Sequence, residues 1–212
     1  MAKSATQQSH EAGRNVVRSG EGTQINVATT NSVGTDGRTA VSLAFNLQDA
    51  PVPDRRYAAD FLTLLYEDEL VKIIFGQKKL GGGIRSLVII AMHTTDATVF
   101  LNSFDPGMDE VINHIAGMQV PTLSKIEAEP DQTIALSANY VAIASAGRAS
   151  CFDFYTASAF SLANAGKTSK LAVEPVVRID ISVGYVVALR RELLELQPSF
   201  PVDPYGVKNV LA

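Results

Sequence analysis

Cysteine is nearly missing from this chain: Cys151 stands alone among 212 residues. A single thiol excludes an internal disulfide framework and a zinc site built from cysteines. Its surroundings, Ser150-Cys151-Phe152-Asp153-Phe154, read as a strand with no histidine nearby in sequence, so a buried structural thiol is expected. Tryptophan is absent, and the three histidines, His10, His93 and His114, fall in no H-x-x-x-H spacing. Asp60 and Asp153 lie inside expected strands, where carboxylates face outward or are hydrogen-bonded more often than they are catalytic. Hydrolytic or metal chemistry would need a fold that gathers dispersed groups, and no metal or cofactor is expected. Long apolar runs are missing too. The longest, Leu87 to Met92, has six residues, against about 20 for a membrane-crossing helix. Residues 1–15 are polar, without the apolar stretch of a secretory signal. A soluble, cytoplasmic protein with no membrane partner is the expectation. The formal charge of −4 gives no general attraction to phosphate. Nucleic-acid binding would require a local basic surface on a mildly acidic body.

What is present suits a globular core: 46% of residues are apolar and 19% charged, which excludes wholesale disorder. Residues 1–38 are rich in Ser, Thr, Gln, Asn and Gly and read as a flexible arm, within which Gln24 to Thr30 carries β-formers able to add a strand. Residues 197–212 contain Pro198, Pro201 and Pro204 and read as an extended tail whose Phe200, Val202 and Tyr205 can dock on the body.

Between these segments the pattern repeats. A shift of 79 positions sets Val41 on Val120, Leu47 on Ile126, Pro51 on Pro130, Ile73 on Phe152 and Phe75 on Phe154. It also sets Ala59-Asp60-Phe61 on Ala138-Asn139-Tyr140. Hydrophobic blocks and turn residues coincide without a gap, which predicts two halves, 39–117 and 118–196. In the first, strands are expected at 41–48, 57–66, 69–76 and 85–93; in the second, at 120–128, 134–145, 149–156 and 172–181. Glu67-Asp68 and Ala146-Gly147 mark hairpin turns, whereas Gly76 to Gly83 and Thr156 to Lys170 are longer connections. Val173, Val177, Ile179 and Ile181 are expected on one face of the last strand, opposite Glu174, Arg178 and Asp180.

Two helices close the halves. Asp105-Pro106 opens the first, which carries Val111, Ile112 and Ile115 and stops at Gly117. The second, about 182–196, places Val183, Val186, Leu189, Leu193 and Leu196 on one face, with Arg191 and Glu195 four apart on the other. Thr94 to Ser103 fits either a helical turn or a short strand. The fold class is α+β: two tandem ββββα-like repeats forming two packed antiparallel sheets with covering helices. This order over residues 40–196 resembles the Whirly and Pur-alpha class of nucleic-acid-binding proteins, which duplicate a ββββα unit. The lysine-rich strand motif of plant Whirly proteins has no counterpart here, so the resemblance implies a general role, binding of single-stranded DNA or RNA, and no particular residues.

The residues offer their own version of that role. Arg55-Arg56-Tyr57 opens a strand, Lys72 lies on the next, and Lys78, Lys79 and Arg85 flank Gly81-Gly82-Gly83; Arg148, Lys167 and Lys170 occupy turns of the second half. Cations on hairpin ends suit phosphates, and Tyr57, Tyr66 and Tyr155 are the expected stacking platforms for bases. The same cations would equally serve solubility and edge protection. Ala165-Gly166-Lys167-Thr168 ends like a phosphate-binding loop, but Ser161 stands where that motif needs glycine, and a strand, not a helix, is expected next. Two further readings stay open. One is a self-assembling scaffold or protein-interaction protein with no nucleic-acid ligand, and the other is an enzyme with a dispersed site. A homo-oligomer is expected under either non-catalytic reading, because edge strands invite pairing between copies.

Overall fold

The computed structural model describes residues 22–33, 39–105, 107–115, 117–124, 126 and 128–201. The remainder of the expected arm, and residues 202–212 of the expected tail, lie outside the described residues. The strands run β1 Thr23–Val33, β2 Thr39–Phe45, β3 Arg56–Ala58, β4 Phe61–Glu67, β5 Leu70–Lys78, β6 Ile84–His93, β7 Ile134–Ser137, β8 Tyr140–Ala146, β9 Ala149–Thr156 and β10 Lys170–Ser182. The helices are α1 Thr94–Asn102, α2 Met108–His114, α3 Ala159–Thr168 and α4 Val183–Leu196. One sheet has four strands in the order β4-β5-β6-β7; the other has six, β2-β1-β10-β9-β8 with β3 beside β10. The α+β class is present, and a ββββα order occurs twice, as β3 to α1 and, with α3 inserted, β7 to α4. These units differ from the expected ones, because 57–66 and 134–145 each divide into two strands and α1, not the helix after Asp105-Pro106, closes the first.

The duplication is visible in every pairing register. Phe61 faces Gly76 across β4 and β5, and 79 residues later Tyr140 faces Tyr155 across β8 and β9. Beyond the middle hairpins the offset becomes 89, as between Thr94 and Val183, the first residues of α1 and α4. The difference equals the 10 residues of α3, inserted where the sequence suggested a polar loop. Under these offsets Leu70↔His93 becomes Ala149↔Ser182, and the register break after Phe75 recurs after Phe154. The capping bonds repeat as well: Thr94 N donates to Glu69 O and Val183 N to Arg148 O, both at 3.0 Å.

The two halves are interleaved. β3 pairs in parallel with β10 of the second half, and β7 pairs in parallel with β6 of the first. Each sheet therefore carries a parallel strand, a departure from the purely antiparallel expectation. The exchange needs a sharp step between the first and second strands of each unit. Asp60 and Asn139 hold it by side-chain bonds, Lys78 N donating to Asp60 Oδ1 at 2.7 Å and Ala157 N to Asn139 Oδ1 at 2.9 Å.

The main core lies between the sheets and under α1, α2 and α4. Phe75 and its counterpart Phe154 meet there with ring centroids 6.0 Å apart, joined by Phe100, Phe152, Val186 and Leu189. A second core covers the outer face of the six-stranded sheet, where Ile25, Val27, Phe45 and Leu47 pack on Tyr140, Tyr155, Leu171 and Val173. Val173 is thus separated from Val177, Ile179 and Ile181, which join the main core. The bulge between Pro175 and Val177 reverses the alternation. Thr23–Val33 of the expected flexible arm is instead strand β1, paired with β10 and β2 of the same chain, so the β-formers of Gln24 to Thr30 add a strand without assembly. No strand forms among the described residues of 120–128, whereas β2 forms because β1 supplies its ladder. Thr94 to Ser103 resolves as α1. The helix expected after Asp105-Pro106 starts at Met108 as α2, beyond the repeated unit that α1 closes, with Asp105 Oδ1 accepting from Gly107 N at 2.8 Å. Val111's side chain lies outside the described set, while Ile112 is buried. Arg191 reaches Asp109 on α2 at 2.7 Å rather than Glu195.

Candidate nucleic-acid interface

Two connections occupy corresponding places in the halves: residues 79–83 between β5 and β6, and residues 157–169 between β9 and β10. The first is a tight glycine loop. Gly81, Gly82 and Gly83 have φ of 96°, 100° and 82°, values that only glycine adopts without strain. Lys79 N donates to Gly83 O at 3.0 Å and Gly82 N to Lys79 O at 3.1 Å, closing the turn. Lys78, Lys79 and Arg85 are exposed around it and form no ion pair with another described residue. Lys78 Nζ stands 6.0 Å from the Tyr185 ring centroid. Lys79 and Arg85 line a cleft of about 510 Å³ with Phe61, Ile74, Ile84 and Ser86. Across it lie Ile126 and residues 130–133, Asp131 being the one carboxylate among the described lining residues. Thr63 Oγ1 donates to Ser124 O and ties that cover down. Ser86 Oγ is buried and has no hydrogen-bond partner.

In the second half, Lys167 lies in the last turn of α3 and Lys170 begins β10, both exposed. Lys170 lines a cleft of about 740 Å³ with Phe160, Gln24, Asn164 and Glu174. Phe160 is 80% exposed. It lies in a segment that reads as loop from sequence, and only its place on the first turn of α3 makes it a ring beside a cation. The Gly166-Lys167-Thr168 stretch closes that helix and feeds a strand, the reverse of a phosphate-binding loop.

The structure corrects much of the remaining set. Tyr155 is 2% exposed within the second core, and burial pushes its phenol up to about 12, so it cannot stack on a base. Tyr66 donates to Ser199 O at 3.2 Å and packs against Phe200, as the tail reading anticipated. Tyr57 is half-buried against the main core. Arg56 forms a bidentate pair with Asp180, its Nη2 at 3.0 Å from Oδ1. Lys72 is tied to Glu129 at 2.7 Å and Glu67 at 3.4 Å. Arg55 is exposed at the start of β3, its carbonyl accepting from Arg178 N at 2.8 Å. Arg148 corresponds to Glu69, at the opposite end of β9 from Lys167 and Lys170; it has an interaction partner, and its Nη2 lies beside Gly117.

No family model and no curated protein matches the chain.

Other polar groups form structural pairs. Arg178 donates to Asp153 through Nε at 2.6 Å and Nη2 at 2.5 Å, with the Asp153 side chain only 10% exposed. The hydrogen bond to Asp153 holds Arg178 firmly protonated. Cys151 faces Asp180 across β9 and β10, and burial, followed by the charge of Asp153, pushes its thiol up. It therefore rests as a thiol, not a nucleophilic thiolate. Among the described residues, no group of three or more His, Cys, Asp or Glu side chains could hold a metal ion, and no helix is long and apolar enough to cross a membrane.

Proposed function

We propose that the protein binds single-stranded nucleic acid, without chemistry, through the cationic connections at corresponding ends of its two halves. The observation that carries this reading is the cluster of Lys78, Lys79 and Arg85. These cations surround a glycine loop and have no carboxylate partner among the described residues, whereas Arg56 and Arg178 each pair with one carboxylate, Lys72 with two, and Arg190 and Arg191 share Asp109. Phosphate binding by such a cluster releases counterions and needs no net positive charge on the whole molecule. Phe160 beside Lys170 adds the combination of ring and cation that single strands favour. The duplicated ββββα order adds the resemblance to the Whirly and Pur-alpha class.

Fluorescence anisotropy with labelled single- and double-stranded oligonucleotides at two salt concentrations tests the proposal. Single strands should bind at low salt and release at high salt, and charge reversal at Lys78, Lys79 and Arg85 should weaken binding at least tenfold. Reversal at Arg56, already paired, should leave it within about twofold. Absence of binding at low salt would remove the reading. A second reading, a protein-interaction role, is favoured by Ile84 and Ile134, 42% and 52% exposed on neighbouring strands β6 and β7. Self-association that survives the same charge reversals, with no oligonucleotide bound, would select it.

A further inference from the structure

Duplication predicts two equivalent outer faces, yet the structure fills one and leaves the other partly open. On the second half, Tyr140, Tyr155, Leu171 and Val173 are covered by β1, β2 and the segment that follows. Their counterparts in the first half are Phe61, Gly76, Gly82 and Ile84. There α2 falls at the sequence place corresponding to β1, so among the described residues no strand takes β1's place on this face, and the 510 Å³ cleft remains. A polypeptide strand cannot take the vacant place by ladder pairing. β1 pairs with Lys170 to Val173 of β10, whereas three of the four corresponding residues, Gly81, Gly82 and Gly83, hold positive φ and offer no extended edge.

We infer that one nucleotide of the bound strand enters this cleft base first, and that the corresponding outer face of the second half, filled by β1 and β2, takes none; the 740 Å³ cleft of that half lies against α3 instead. This rests on the single-strand reading above. Phe61, Ile74 and Ile84 supply apolar walls for a base, and Lys79 and Arg85 on the rim reach the phosphates on either side. Ser86 Oγ, buried and unpartnered, offers one hydrogen bond to the base edge; in the second half its counterpart is Pro175, which has no such group. The cleft volume falls within the range of small-ligand sites, about 300–1,000 Å³. Asp131 opposes phosphate on its own side, which orients the backbone toward the Lys79 and Arg85 rim.

The experiment compares a short labelled thymidine oligonucleotide with an abasic strand of equal length, in the full chain. Stoichiometry should be one oligonucleotide per chain, and the abasic strand should bind about five- to hundredfold more weakly. Thr133→Trp, which fills the cleft and replaces no cation, should bring the thymidine strand down to the abasic level. Ser86→Ala should lose several-fold in affinity, and unchanged thermal melting of both variants guards against misfolding. Equal affinity for the two strands, two oligonucleotides per chain, or indifference to Thr133→Trp would overturn the inference while charge reversal at Lys79 still abolished binding. Displacement of the oligonucleotide by a peptide spanning Thr23–Val33 would assign the cleft to a polypeptide instead. Failure of every strand to bind at low salt would remove the underlying reading as well.

Discussion

Replacing Asp153 or Arg178 alone should destabilise the protein far more than replacing both with isoleucine. The two side chains face each other across β9 and β10, 10% and 24% exposed, and bonded through two contacts. The duplication supplies its own control: the corresponding pair in the first half is Ile74 facing Ile89, 2% and 0% exposed. One backbone arrangement is thus satisfied once by an ion pair and once by hydrocarbon. Removing one member of a buried ion pair costs about 3–5 kcal/mol because the other charge is left desolvated. The partial exposure of Arg178 places Asp153→Ala nearer about 2–4 kcal/mol. The double variant Asp153→Ile with Arg178→Ile loses the pair but also its desolvation cost, and should fall within about 1 kcal/mol of the parent. Urea unfolding measures the difference: with a slope of about 2–3 kcal/mol per molar, the single variant moves the midpoint down by roughly 1 M. A double variant as unstable as the sum of the singles would show that the two sites are not interchangeable, and would refute the reasoning.

Other expectations follow from single contacts. Burial raises the Asp96 carboxyl from 3.8 to about 6. Its protonated form is therefore favoured in the folded state, and stability should fall as pH rises from about 4 through 6. Asp96→Asn should remove that slope and stabilise the protein at pH 7 by roughly 1–2 kcal/mol once solvent screening is allowed for; an unchanged pH–stability profile would contradict this. Asn139 bonds both the N–H and the C=O of Ala157 at 2.9 Å in a partly buried place, so Asn139→Ala should cost about 1–3 kcal/mol in chemical denaturation. Its exposed counterpart Asp60 makes one such bond, and Asp60→Ala should cost less, about 0.5–1 kcal/mol.

The repeat was legible because the middle hairpins contain no insertion: Ala59-Asp60-Phe61 and Ala138-Asn139-Tyr140 make the same step in the same register. Past Thr156 the offset changed by the length of α3, and a comparison at one fixed shift cannot detect such a change. The exchange of β3 and β7 between halves was hidden for another reason. A three- or four-residue strand carries no signal for which neighbour it pairs with, and the choice is made by tertiary packing. Alternation failed at Val173 because a bulge shifts the face by one residue without altering composition. Of the site, the Lys78–Arg85 loop was readable from its glycines and charges. The burial of Tyr155 was not, since its cover comes from β1 and β2, more than a hundred residues earlier in sequence. Nor were the partners of Arg56 and Lys72, which lie on Asp180 and Glu129.

A salt titration of oligonucleotide affinity is the most direct test of the proposed role. If Lys78, Lys79 and Arg85 each take one phosphate, log affinity should fall against log salt with a slope near −2, about 0.7 per phosphate for a single strand. Replacing all three with glutamine should reduce the magnitude of the parent slope by about 2. An unchanged slope in the triple variant, or no measurable binding by the parent at low salt, would contradict the account.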